Sequence, residues 1–221
     1  NDQTSVTIDQ SVSDKWTWTN TLNYSLKFGK SSVNILAGTE MYKDFFDNTT
    51  LRKNDFLIET PDYMYPDAGT GESFTSGTST GYSLLSYFGK VDYEFDNRYL
   101  LSGTIRRDGS SRFGKNNQFG VFPAVSAGWR ISNENFIKDN VSAISDLKLR
   151  ASWGQTGNQE ISNNAVYSLY LASYAGGSPT WATSFGTAYD IAGNGNGLLP
   201  SGFIATQTGN DDLKWETTTQ T

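Results

Sequence analysis

The tightest constraint on this chain is an alternation of apolar and polar residues that recurs in several long segments. In "WTWTNTLNYSLKF", Trp16, Trp18, Leu22, Tyr24, Leu26 and Phe28 fall on one side and Thr17, Thr19, Thr21, Asn23, Ser25 and Lys27 on the other, with Asn20 the single break. Two is the side-chain period of a β-strand. The pattern resumes after "GKSS" in "VNILAGTEM", where Val33, Ile35, Ala37 and Met41 oppose Asn34, Gly38 and Glu40, and Leu36 interrupts. A second pair flanks "DNR": Tyr87, Val91, Tyr93 and Phe95, then Tyr99, Leu101 and Ile105, against Lys90, Asp92, Glu94, Ser102 and Thr104. If these apolar sets share a face, Phe95 meets Tyr99 across the turn, while Phe88 and Leu100 point the other way. A third pair sets Val125, Ala127, Trp129 and Ile131 beside Leu147, Leu149, Ala151 and Trp153, with Ser126, Gly128, Arg130, Lys148, Arg150 and Ser152 opposite. The connector "SNENFIKDNVSAISD" suits a short helical turn. "SVTI" reads as the end of an earlier strand and "LKW" as the start of a later one, so about six full strands are expected, with partial ones at both ends.

Such alternation fits two all-β folds, a soluble sandwich with a solvated outer face and a barrel whose apolar face meets lipid. Connection length separates them. The links at 29–32, 96–98 and 132–145 are short to moderate, and they alternate with those at 42–82, 107–118 and 156–213, two of which run to roughly 40 to 60 residues. Sandwiches rarely carry structureless loops of that length, whereas outer-membrane barrels combine short periplasmic turns with long extracellular loops. The polar face carries full charges (Lys27, Glu40, Lys90, Asp92, Glu94, Arg130, Lys148, Arg150), as a wet lumen permits. Aromatics gather at strand ends, with Phe28, Tyr93, Phe95, Tyr99 and Trp129 by the short turns and Trp16, Trp18 and Trp153 by the long loops. Two interfacial girdles have this layout. The expected fold is therefore a segment of a large transmembrane antiparallel β-barrel with long extracellular loops. The chain lacks any run near the ~18 apolar residues of a membrane helix. A barrel strand needs only ~9–11 residues.

Composition narrows function by exclusion. The chain has no cysteine and no histidine, which removes Cys/His zinc sites and Ser-His-Asp or Cys-His nucleophile systems. A net charge of −6 argues against nucleic acid as a partner. No cofactor is expected. With no initiator methionine or signal peptide, and an ending in "LKWETTTQT", the chain reads as an internal piece of a longer protein.

The segment "YFGKVDYEFDNRYLLSGTIRRDGSSRFGKNNQFGVFPAVSAGWRISNENFI", with "DLKLRASWGQTGNQEI" and "LKWETTTQT", resembles the SusC/RagA family of TonB-dependent outer-membrane transporters. The likeness is continuous over 87–161 and returns at 213–221. It is one of style only before residue 83, and 162–212 has the character of a variable loop. The resemblance implies a plugged transporter barrel of about 22 strands, with the plug and TonB-contacting segment outside residues 1–221. It also implies a SusD-like surface lipoprotein as partner, TonB as energy source, outer-membrane lipid around the wall, and oligosaccharide or peptide as cargo. A protein of this family is a transporter and not an enzyme, sited in the outer membrane of a Gram-negative bacterium. Two other readings stand beside it, a soluble carbohydrate-binding β-sandwich and a barrel-embedded hydrolase. The missing histidine disfavours the hydrolase.

Several clusters carry candidate chemistry. "RRDGSSRFG" places Arg106, Arg107, Asp108 and Arg112 at a strand exit, where guanidinium forks suit polar ligands. A structural Arg–Asp network pinning the loop is the favoured role. The segment 162–206 is rich in Tyr167, Tyr170, Tyr174, Trp181, Phe185, Tyr189 and Phe203. Aromatic faces stack on sugars and grip peptide side chains, so Tyr174, Trp181, Phe185 and Tyr189 are the candidate cargo contacts, against the alternative that they only pack the loop. "GNGNG" at 193–197 lacks the Lys-Ser/Thr and the strand-to-helix context of a phosphate loop. Asp211, Asp212 and Glu216 show no EF-hand order, and no acid pair stands out for glycoside hydrolysis. The 44–65 insertion is expected to hold a short helix.

Overall fold

Hydrogen-bonded neighbours in the main sheet are antiparallel throughout, and two tight turns set their register. The computed structural model describes residues 4–138, 145–173 and 202–221. Its strands are β1 (Ser5–Phe28), β2 (Ser31–Asn54), β3 (Ser73–Phe95), β4 (Tyr99–Ser110), β5 (Phe119–Arg130), β6 (Lys148–Asn158), β7 (Leu169–Ser173), β8 (Gly202–Gln207) and β9 (Glu216–Gln220). One sheet runs β1-β2-β3-β4-β5-β6-β9, and β7 pairs with β8 in a separate hairpin. Gly29, at φ 56°, turns β1 into β2, and Asp96 and Asn97, at φ 50° and 54°, turn β3 into β4. Asp and Asn tolerate this left-handed region better than most side chains. As the alternation requires, Phe95 pairs with Tyr99, their rings stacked 6.4 Å apart. The β5–β6 ladder runs from Ala124 to Arg130, starting just beyond Pro123, which has no N–H to offer it.

Register assigns the faces. The row Leu26–Val33–Tyr93–Leu101–Ala127–Ala151 crosses six strands on one side, and Ser25–Asn34–Asp92–Ser102–Ser126–Ser152 crosses them on the other. Lys90, Asp92, Glu94, Arg130, Lys148 and Arg150 all occupy the second, charged face, together with Phe88 and Leu100. Among the described residues only Phe56, Phe113, Phe122 and Val166 are buried hydrophobics. Leu22 is 73 % exposed, Leu149 61 % and Leu101 56 %. No second layer covers these side chains among the described residues, in contrast to a sandwich, whose two inner faces bury one another.

The strands run further than their alternation signalled. β1 is continuous from Ser5, so "SVTI" is its own beginning and not the end of an earlier strand. β2 continues to Asn54 and β3 starts at Ser73, so most of the expected 42–82 loop is strand and the connection shrinks to 55–72. The short helix expected within 44–65 is a single 3-10 turn at Pro61–Tyr63, with strand before it and a second 3-10 turn, Pro66–Ala68, just beyond; each is begun by a proline that presets φ. In "DFFDNTTLRKN" the apolar and polar residues keep no period of two, yet the backbone ladder persists. At 24 residues β1 spans roughly 80 Å, far more than a bilayer needs. The expected helical turn is present, with a 3-10 turn at Ile131–Asn133 and α1 at Asn135–Lys138.

Gly38 on β2 lets the Phe88 ring lie flat on the charged face. A Cβ at Gly38 would sit 2.4 Å from Phe88 Cζ and 2.9 Å from the Asn20 carbonyl oxygen. Gly38→Val should lower the yield of assembled, heat-modifiable full-length barrel, because overpacking costs about 1–3 kcal/mol. Adding Phe88→Ala should restore most of that yield. A double variant as poor as the single one would mean that the Phe88 ring is not what Gly38 accommodates.

Candidate functional site: the charged face and its loop rim

Four strands contribute to one polar chain on the charged face. Arg106 on β4 donates from Nε to Asp108 Oδ1 at 2.6 Å, and from Nη2 to Ser86 Oγ at 3.0 Å and Glu40 Oε1 at 3.5 Å. Glu40 accepts in turn from Thr19 Oγ1 at 3.2 Å. Arg106 and Asp108 meet because residues two apart in a strand share a face. Ser86 is the cross-strand partner of both Asp108 and Glu40. The guanidinium also lies 5.6 Å from the Phe88 ring centroid. Toward the short turns, Lys90 and Asp92 pair at 2.9 Å, and Ser102 donates to Asp92 at 2.6 Å. A hollow of about 500 Å³ opens there, lined by Lys90, Asp92, Leu100, Lys148 and Arg150 among others.

The four residues of "RRDGSSRFG" occupy three environments. Arg106 pairs with Asp108, while Arg107, one residue on, points to the opposite face and lies 4.3 Å from the Phe119 ring centroid. Arg112 is buried beyond the strand end. Its Nε donates to Asn163 Oδ1 at 2.7 Å, its Nη1 to the Gln159 carbonyl and to Glu160, and its guanidinium lies 4.0 Å from the Tyr82 ring. Asn163 donates to Thr80 Oγ1 at 2.9 Å, so Arg112 joins β3, the 111–118 loop and the 159–165 turn. Beside it Trp215 packs on Phe113 and Phe122 at 5.4 and 5.3 Å and donates to the Gln118 carbonyl. Tyr167 and Tyr170 are exposed. Tyr174, Trp181, Phe185, Tyr189 and the "GNGNG" run lie outside the described residues.

Two groups of residues were not expected at this site. Tyr42 and Tyr82 stand on the charged face of β2 and β3, ring centroids 5.6 Å apart, and Tyr42 donates to Asp44, which also pairs with Lys15 at 3.0 Å. Carrying the β2 parity one residue past Met41, and the β3 parity back from Lys90, would have placed them. The other group surrounds Glu134, a buried carboxylate in the turn after β5. It accepts from Trp129 Nε1 at 2.9 Å and Tyr99 OH at 2.8 Å on Oε1, and from Arg98 Nη1 at 3.0 Å on Oε2. No strand period reaches that connector, so no pattern could flag it. Arg130 also donates to the Asn97 side chain, closing the same seam.

Comparison with known proteins decides what the sheet belongs to. The family described as TonB dependent receptor-like, beta-barrel matches residues 1–221. This chain belongs to that family. TonB-dependent receptor SusC of Bacteroides thetaiotaomicron is 43% identical over 147 residues, 64% of this chain and 13% of SusC. A TonB-dependent receptor of Formosa agariphila is 35% identical over 205 residues, 91% of this chain and 17% of its own length. Among solved structures, the RagAB peptide transporter superposes with a TM-score of 0.72 at 26% identity, over 97% of this chain and 21% of that one. The chain thus spans about a fifth or less of the relatives it matches. The sheet is a segment of a large transmembrane antiparallel β-barrel of the TonB-dependent type, a family of outer-membrane receptors and transporters.

In this TonB-dependent barrel segment the Trp129 and Tyr99 donors, with Arg98, hold the Glu134 carboxyl below the ordinary glutamate range. A group whose folded pKa is depressed adds stability above its unfolded value, near ~4.3, and that contribution is lost as pH falls through the folded value. Glu134→Gln should therefore lower the thermal midpoint of the full-length barrel at neutral pH, and the gap to wild type should close on acidification below the ordinary glutamate range. A gap that is the same at all pH values would remove the ionised carboxylate from the account.

Proposed function

We propose that this chain forms part of the wall of an outer-membrane importer of the SusC/RagA type, with its charged face lining a water-filled lumen. The observation that carries this is the pairing, on one sheet, of an uncovered apolar face with a face holding Lys90, Asp92, Arg106, Lys148 and Arg150. Lipid on one side and water on the other satisfies both. All 221 residues are assigned to the barrel domain, with the signal peptide and plug elsewhere in the full-length protein. The short turns face the periplasm and the long connections face the exterior.

The cargo is an oligosaccharide or a peptide, the chemistry that SusC/RagA likeness and the name of the RagAB peptide transporter support. A SusD-like surface lipoprotein covers the extracellular mouth, and TonB supplies energy through the plug. Tyr174, Trp181, Phe185 and Tyr189 are assigned to cargo capture, and Lys90, Asp92, Glu94, Arg130, Lys148 and Arg150 to the lumen lining. Arg106 with Asp108 braces the wall, and Arg112 braces the rim. No part of this role calls for a catalytic group, cofactor or metal.

The test is uptake of labelled oligosaccharide and oligopeptide mixtures by cells producing the full-length protein. One mixture should enter in a saturable way, and deletion of TonB should stop it. Trp181→Ala, Phe185→Ala and Tyr189→Ala together should raise the half-saturating concentration about tenfold or more without lowering barrel yield, since each stacking contact contributes about 0.5–1.5 kcal/mol. Uptake that survives loss of TonB would contradict the importer reading and indicate a passive pore.

A further inference from the structure

Arg107 is on the wrong side of the sheet for a charge. Its register partners are Tyr87 on β3 and Val121 on β5, and its face continues through Ile105, Leu101 and Val125. These neighbours are about half exposed, and the face has no protein cover among the described residues. An arginine on a lipid-facing surface costs roughly 2–4 kcal/mol at the bilayer midplane and about 0–1 near the interface. Arg107 lies eight residues along β4 from Tyr99 at the short-turn girdle. At ~3.4 Å per residue and a tilt of about 35–45°, that raises it about 20 Å, close to the upper edge of a ~25 Å apolar band. From there the long arginine side chain reaches upward to headgroup depth in the outer leaflet.

The local structure holds it there. Gly109 lacks the Cβ that would stand 2.5 Å from Phe119, so the Phe119 ring settles over the β4 backbone. The Arg107 guanidinium lies over that ring, 4.3 Å from its centroid. Among the described residues no carboxylate pairs with Arg107, and no acceptor takes a hydrogen bond from it or from the neighbouring Tyr87 hydroxyl. Two exposed donors stand side by side at headgroup depth with nothing in the described chain to receive them. An Arg fork matches phosphate bidentately, and a ring beneath it leaves its edge donors free.

We infer that Arg107, shelved on Phe119 and paired with Tyr87, forms a binding site on the lipid-facing wall for the phosphate of an anionic membrane lipid headgroup. This rests on the membrane reading above. The phosphate is lipid-borne, because the site opens sideways into the headgroup layer and its remaining walls, Val121 and Ile105, are apolar.

The test uses the full-length protein, delipidated in detergent and reconstituted into phosphatidylcholine vesicles with and without monophosphoryl lipid A. Lipid A retained per protein after re-extraction is read by mass spectrometry. Wild type should insert into both vesicle types and retain lipid A. Arg107→Gln should insert equally and retain about tenfold less, the factor corresponding to 1.4 kcal/mol. Arg107→Lys should fall between them, keeping the charge without the fork. Lys27→Gln, a cation lost from the opposite face, should retain as much as wild type. Equal retention by Arg107→Gln and wild type overturns the site. So does a loss in Lys27→Gln as large as in Arg107→Gln, or displacement of lipid A by inorganic phosphate at comparable concentration. Failure of wild type to insert even into phosphatidylcholine would sink the membrane reading itself, a result distinct from the others.

Discussion

Backbone hydrogen bonding across a continuous antiparallel ladder is the constraint on which everything else in this segment depends. Inside a bilayer no water satisfies a free N–H or C=O, so a strand can cross only if its neighbours take up its backbone groups. Here β2 and β4 are paired on both sides along nearly their whole length, as are Leu84–Phe95 of β3 and Ala124–Arg130 of β5. Once that ladder is fixed, side chains must divide between two faces with a period of two. The division gives one wall two chemically different faces.

The same division governs where charge can sit. On the charged face, cations and carboxylates lie within reach across neighbouring strands, so Arg106, Asp108, Ser86, Glu40 and Thr19 link four strands through side chains alone. On the apolar face Arg107 has no such company and rests on an aromatic ring. Exposed ion pairs contribute little to stability, about 0–1 kcal/mol each. The charged face is better understood as a hydrated, geometrically fixed surface than as a source of stability. The strand ends are held differently, by a buried Arg112 at the loop rim and a buried Glu134 at the turn seam, each with several donors or acceptors around it.

Much of this wall was legible in the sequence, for a physical reason. Where one face is apolar and the other wet, composition records the register, so the Phe95–Tyr99 pairing and the shared face of Lys90, Asp92 and Glu94 could be read directly. Beyond Met41 both faces of β2 carry charges, Lys43, Asp47 and Lys53 against Asp44 and Arg52, and the alternation fades. The 44–54 strand was hidden although the ladder continues. Strand parity alone separates Arg106 from Arg107, although "RRDGSSRFG" has the look of a single motif. Glu134 left no trace, since a connector has no period and its partners come from three separate positions. The expected cargo contacts at Tyr174, Trp181, Phe185 and Tyr189 lie outside the described residues, so their role rests on residue chemistry alone.

The central claim is that one sheet separates lipid from water. Nitroxide labels placed singly at residues 148 to 153 of the full-length reconstituted protein test it most directly, through accessibility to oxygen, which partitions into lipid, and to a water-soluble nickel chelate. Labels at 149, 151 and 153 should favour oxygen, and labels at 148, 150 and 152 should favour the chelate, giving a period of two with opposite phases. Positions 149, 151 and 153 shielded from both reagents would describe a buried protein core and contradict the account.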